Sequence, residues 1–144
     1  MLLTGTHFRT LDDKKRLALP KRIREQLGEK PELFIAPGQD RCLWLYDQDR
    51  LEKLAEKLDQ TPATDAEARV FRRLFFAQME ALDVDGQGRI LLPERLLQFA
   101  GLKHEAVLIG VRDHMEVWDA ARWRDFLSQH GPRFDQVAES AFRK

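Results

Sequence analysis

The sequence has one cysteine, Cys42, and one tyrosine, Tyr46, among 144 residues. A lone thiol cannot close an intramolecular disulfide, so a reducing compartment is the natural setting. No run of about 18 apolar residues occurs, which excludes a spanning helix. The opening MLLTGTHFRT lacks the apolar stretch and cleavage pattern of a secretory signal. A cytoplasmic protein is therefore expected. Charge of one sign is also missing: 24 Lys and Arg balance 24 Asp and Glu. The four histidines, His7, His104, His114 and His130, are scattered, and none stands at a zinc-ligand spacing from Cys42. Each is expected on the surface or in a turn. There is no Gly-x-Ser-x-Gly, no Gly-rich phosphate loop and no paired-His helix motif. The expectation is a protein that is not an enzyme and uses neither metal nor other cofactor.

What is present is a repeat. Hydrophobic residues at 43% allow a core to form in a chain of this length. A shift of 73 residues lays Asp12-Asp13-Lys14-Lys15-Arg16-Leu17-Ala18-Leu19-Pro20 on Asp85-Gly86-Gln87-Gly88-Arg89-Ile90-Leu91-Leu92-Pro93. Both copies read Asp, three residues, Arg, three apolar residues, Pro. Arg22 then falls on Arg95, Ile23 on Leu96 and Gly28 on Gly101. After a one-residue slip, Tyr46-Asp47 matches Trp118-Asp119. Several hits in one order point to duplication.

Each copy follows one grammar. An extended segment (His7–Leu11 or Met79–Val84) enters a polar turn, and a short apolar strand follows (Arg16–Leu19 or Arg89–Leu92). Proline then opens and glycine closes a short helix, Lys21–Leu27 or Glu94–Ala100. Two more strands come next, Leu33–Ala36 with Cys42–Tyr46 in the first copy and Ala106–Val111 with Met115–Trp118 in the second. Asp47 and Asp119 are placed to cap the helices after them. Within the strands Cys42 reads as a small buried hydrophobe, and Trp44, Trp118 and Trp123 as core or interface. The domains predicted are a first repeat over 1–60, a connecting helix over 61–78, a second repeat over 79–130 and a polar tail over 131–144. In the connector, Thr64 and Glu67 form a capping-box pattern. Val70, Phe71, Leu74, Phe75 and Phe76 then cover more than one face, which fits either a subunit contact or a connector buried within one domain. In the tail, Val137, Ala138 and Ala141 permit a weak helix.

The Asp-x-x-x-Arg element carries the chemistry. An aspartate in such a turn can accept backbone N–H groups, and an arginine can pair with a carboxylate across the strand. Charge separates the two copies. From His7 to Arg24, seven basic residues face Asp12 and Asp13, a balance of +5; from Glu80 to Leu97 the balance is −2. Arg9, Lys14, Lys15 and Arg16 gather at the first turn. One scaffold with opposite electrostatics suggests that the first half meets a polyanion and the second supports the fold.

At these motifs the sequence resembles the MraZ family of bacterial regulators, which are AbrB-like. The carriers are Leu11–Pro20, Arg24-Glu25-Gln26-Leu27-Gly28, Cys42-Leu43-Trp44-Leu45-Tyr46 and Leu82–Pro93, within a likeness running from about Thr4 to Phe126. The resemblance implies an α+β fold: a double-split β-barrel of the AbrB or swapped-hairpin kind, made of two tandem ββαββ-type repeats flanked by helices. It implies sequence-specific binding to double-stranded DNA, at promoter repeats ahead of the division and cell-wall gene cluster, by a ring-shaped homo-oligomer at the nucleoid. Carried over by position, DNA contacts fall on Lys14 and Arg16, with Arg9 and Lys15 beside them. Asp12, Asp85 and Arg89 support the turns. One departure is Lys15, which stands where the family usually has glycine, so the turn is less free to adopt positive φ. Two other readings remain: a scaffold that binds a protein through Val70–Phe76, and an enzyme that uses an Asp–Arg pair in a pocket near Arg16.

Overall fold

The computed structural model describes residues 2–29 and 31–143. The first half runs β1 (Thr6–Thr10), β2 (Arg16–Ala18), α1 (Lys21–Leu27), β3 (Glu32–Pro37), β4 (Leu43–Asp47) and α2 (Gln48–Asp59). Helix α3 (Ala66–Phe76) follows. The second half repeats the order as β5 (Glu80–Asp83), β6 (Arg89–Leu91), α4 (Glu94–Ala100), β7 (Glu105–Gly110), β8 (Met115–Asp119) and α5 (Ala120–His130). A short 3-10 turn, Gly131–Arg133, then leads into α6 (Phe134–Arg143). The mixed α+β class and the tandem repeat are both present, and α1 and α4 have the bounds that Pro and Gly set in the sequence.

Caps explain several boundaries. Asp47 accepts the Arg50 N–H at 2.9 Å and so starts α2; Asp119 accepts from Arg122 at the start of α5. Helix α3 departs from expectation. Its cap is Asp65, which accepts the Ala68 N–H at 3.1 Å, so the Thr64–Glu67 capping box does not form. Aspartate caps as well as threonine does, and α3 packs Phe71 and Phe75 against the body. The C-terminal segment is more than a weak helix: α6 is continuous from Phe134 to Arg143.

The halves are interleaved. Six strands form one antiparallel sheet in the order β1-β7-β8-β4-β3-β5, and β2 pairs with β6 in a two-stranded ladder. Exchanging the halves (β1 with β5, β3 with β7, β4 with β8) leaves this order unchanged when read from the other end. A pseudo-two-fold axis therefore relates the copies. It passes through the Leu17–Ile90 pair of β2 and β6 and the Trp44–Glu116 pair of β4 and β8. The strands on either side of each polar turn pair mainly with the other half, β1 with β7 and β5 with β3. The turns are thus not tips of simple hairpins, because each repeat finishes its pairing with strands of its twin.

The core follows from that exchange. Leu17, Ile23, Ile35 and Leu43 from the first half pack in one cluster with Ile90, Leu96, Leu108 and Val117 from the second. Neither repeat holds its own core, so the barrel-like body forms only from both.

Candidate nucleic-acid interface

The two Asp-x-x-x-Arg turns flank the Leu17–Ile90 axis and have one hydrogen-bond design. Asp12 Oδ1 accepts the N–H groups of Lys14 at 2.9 Å and Arg16 at 2.8 Å. Asp85 Oδ1 accepts those of Gln87 and Arg89, both at 2.9 Å. The second oxygen of each aspartate takes its own arginine's Nε–H, at 2.7 Å from Arg16 and 2.9 Å from Arg89. Each arginine thus pairs first within its own turn. The aspartate orders the backbone with one oxygen and the guanidinium with the other. Ladder bonds continue past the strand ends, with Leu19 N–H donating to Gly88 O and Leu92 N–H to Lys15 O. Each turn is therefore tied to the strand of the opposite half.

These contacts hold the carboxylates ionised. The backbone N–H of Arg16 is the largest influence lowering the Asp12 pKa below its ordinary value, and the N–H of Arg89 does the same for Asp85. A further link crosses the axis: Arg89 Nη1 lies 3.7 Å from Asp12 Oδ2.

Sequence differences are then laid on matched backbones. Lys15 and Gly88 occupy equivalent left-handed positions, with φ of 62° and 78°. The lysine adopts positive φ where its twin is glycine, because the Asp12 hydrogen bonds fix the turn around it. Lys14 is exposed. Lys15 is half-buried and donates from Nζ to Lys103 O at 3.3 Å. Arg16 keeps 27% of its side chain exposed, and among the described residues only Nε is engaged, leaving the Nη edge open. Arg9 stands apart from this turn on β1, half-buried, with Nη1 donating to Phe8 O at 2.8 Å. At the second turn the matching places hold Gly86, Gln87 and Gly88, so the lysines belong to the first turn alone.

Arg24 has a place that its contribution to local charge did not foretell. Its guanidinium lies over the second turn, so a Cβ added at Gly88 would come within 2.5 Å of Arg24 Cδ and Nη1. A cavity of about 380 Å³ beside it is lined by Arg24, Gly28, Pro31, Val84, Asp85, Gly86 and Gly88. Arg16 does not line this cavity.

A second polar cluster sits at the other end of the axis. His114 is in a turn, as expected, but its side chain is only 13% exposed. Its Nδ1 is 2.8 Å from Asp113 and its Nε2 is 3.3 Å from Glu116. Its ring stacks on Tyr46 and meets Trp44 edge-on, each at 5.1 Å between centroids. Glu116 also accepts the indole N–H groups of Trp44 at 3.1 Å and Trp118 at 2.9 Å. Burial alone would lower the His114 pKa, but the hydrogen bonds to Glu116 and Asp113 outweigh it and raise it. The signal was the Trp44–Glu116 register, which becomes visible only once β4 is paired with β8. The two carboxylates bind opposite nitrogens of the ring and do not converge on one point. Among the described residues no group of three His, Cys, Asp or Glu side chains could hold a metal ion. Cys42 is fully buried, and burial pushes its thiol pKa up, so it stays protonated. No helix among the described residues is long and apolar enough to cross a membrane.

Comparison with known proteins agrees with this repeat. A family model described as "MraZ protein, putative antitoxin-like" matches the chain twice, over residues 2–74 and 75–144. The transcriptional regulator MraZ of Desulfitobacterium hafniense strain Y51 is 43% identical over 140 residues, covering 96% of each chain. The proteins of that name from Saccharopolyspora erythraea and Moorella thermoacetica are each 38% identical over 138 residues, covering 96% of this chain and 95% of theirs. With both halves matched in tandem and full-length relatives at this identity, the chain belongs to the MraZ family of transcriptional regulators.

Proposed function

We propose that this regulator binds double-stranded DNA sequence-specifically through the first Asp-x-x-x-Arg turn. It acts at the nucleoid on promoter repeats ahead of the division and cell-wall gene cluster, as a ring-shaped homo-oligomer. The observation that carries this reading is charge asymmetry on a symmetric scaffold. Two turns with the same backbone and the same Asp–Arg clasp differ in that only the first adds Lys14 and Lys15.

The chemistry follows from that arrangement. Asp12 grips the Nε side of Arg16, fixing the guanidinium plane while the Nη edge stays open. A planar donor edge held this way suits the two acceptors of a guanine in the major groove. Lys14, exposed beside it, and Arg9 on β1 are phosphate contacts that set orientation. Each neutralised phosphate contributes a slope of about −0.9 in log affinity against log salt, so one turn alone holds weakly at cellular salt. Repeated copies on a ring, meeting repeated sites, convert later contacts into intramolecular ones. Arg89, tied to both Asp85 and Asp12, supports the pair of turns. In gel-shift titration against the chain's own upstream DNA, Arg16→Ala should abolish binding while the assembled mass stays unchanged. Unaltered affinity would overturn the assignment.

A further inference from the structure

We infer that Arg22 of α1 is a second phosphate-binding site on the first repeat, and that it takes a backbone phosphate of the duplex held at the first turn. This rests on the DNA reading proposed above and adds a contact outside the Asp-x-x-x-Arg element. The observation that carries it is a difference between the twins at one place. His7 on β1 faces Leu108 of β7, and Glu80 on β5 faces Ile35 of β3, so the two residues hold equivalent positions in equivalent registers. Arg22 and Arg95, each the second residue of its repeat's short helix, are likewise equivalent. In the second repeat the arginine has an anion: Arg95 Nη1 lies 2.8 Å from Glu80 Oε2, and its Nη2 donates to Gln78 O at 3.0 Å. In the first repeat the carboxylate is replaced by an imidazole. Among the described residues Arg22 has no ion pair, and its one hydrogen bond is long, from Nη2 to Thr4 Oγ1 at 3.5 Å.

His7 does not stand in for the missing carboxylate. Burial, and then the positive charges of Arg9 and Arg22, lower its pKa, so the ring is neutral and gives Arg22 no counter-charge. Its Nε2 is buried without a hydrogen-bond partner and is closed in at Gly5, where an added Cβ would lie 3.2 Å from it. Arg22 is exposed and is therefore the group that reaches a ligand. The surrounding charge changes in the same sense. Arg9 matches Leu82 and Lys21 matches Glu94, so three cations without an acid replace one cation with two acids. The twin also shows what chemistry fits, since Arg95 is satisfied by one carboxylate oxygen, and a phosphate oxygen is an equivalent charged acceptor. Position points to DNA as its source. β1 leads directly into the first turn, and the five steps from His7 to Asp12 span about 17 Å of extended chain. That is about five phosphates along one strand of a duplex, so DNA that lies along β1 from the first turn carries phosphates as far as Arg22.

The test uses the full-length chain and two variants, with binding to a fluorescent upstream duplex followed by anisotropy across a potassium chloride series. His7→Glu gives Arg22 the internal carboxylate that Arg95 already has, and Arg22→Gln removes the guanidinium. Circular dichroism checks that each is folded, and Arg22→Gln decides alone if His7→Glu is not. Each variant should bind more weakly than the wild type, with a log–log slope shallower by about 0.9 for each Arg22 that meets a phosphate, which is about 3.5-fold over a fourfold change in salt. Preference for the upstream duplex over a scrambled one should be unchanged, because a phosphate contact carries no base information. An Arg22→Gln protein with wild-type affinity and slope would overturn this site and leave the first-turn reading to the Arg16→Ala gel shift. Two further results would also overturn it. If inorganic phosphate raises the thermal midpoint of the wild type but not of Arg22→Gln, while their DNA slopes agree, the site takes a free ion. If Arg22→Gln changes the assembled mass by light scattering, while DNA slopes agree, Arg22 holds a carboxylate of a second copy. A wild type that ignores the duplex would remove the DNA reading and this site together.

Discussion

Lys15 and Gly88 show how a single residue type can separate two copies of one turn. Both sit at positive φ, where a side chain meets the following carbonyl and glycine does not. At Gly88 a side chain would meet Arg24 as well, so Gly88→Ala should destabilise the protein by about 1–3 kcal/mol in chemical denaturation. Equal stability would mean that Arg24 swings aside at no cost. His114 gives a residue-scale prediction in pH. Its pKa is raised in the folded state, so its contribution to stability is complete below its unfolded value, about 6.5, and is lost as pH rises through the folded value. Asp113 and Glu116 have lowered pKa values and stay charged throughout that window. The thermal midpoint should therefore fall more between pH 6 and pH 8.5 in the wild type than in His114→Gln. Parallel curves would contradict the clamp.

At the scale of elements, the β2–β6 ladder is the joint between the halves. Leu17 and Ile90 face each other across it and are both fully buried. Leu17→Ala should cost about 2–5 kcal/mol of unfolding free energy, because the vacated volume is bounded by both repeats and cannot collapse toward either. The same change at exposed Leu91 should cost little. Local signals made much of this scale legible in sequence. Proline and glycine bracketed α1 and α4, Asp47 and Asp119 marked the starts of α2 and α5, and short apolar runs marked β3, β4, β7 and β8. Partnership was not legible. Nothing near Thr6–Thr10 says that it pairs with Glu105–Gly110, since register between distant strands is set by the shared core and not by neighbours in sequence. For the same reason the His114 cluster stayed hidden, as Trp44 and Glu116 meet only after β4 and β8 are paired across the axis. At the first turn, residue identity did identify Asp12 and Arg16 as a unit, because both belong to one five-residue turn. It did not reveal Arg24 over Gly88.

Over the whole molecule, duplication has given a scaffold whose symmetry is structural and whose charge is not. The twin turns are fixed by equivalent hydrogen bonds, yet one presents Lys14 and Lys15 while the other presents Gln87 and Gly88. On the function proposed above, binding strength comes from copy number, and each added subunit would contribute another cationic turn for a repeated site. Rewriting the first turn as the second, with Asp13→Gly, Lys14→Gln and Lys15→Gly in one chain, isolates this claim because the backbone already accommodates that sequence at residues 86–88. The decisive measurement is affinity for the multi-repeat promoter across a salt series. The rewritten chain should fold and assemble as before and bind more weakly at every salt concentration. Its log–log slope should be shallower by about 0.9 for each phosphate that the bound subunits no longer neutralise. Affinity and slope equal to the wild type's would contradict the assignment of DNA binding to the first turn.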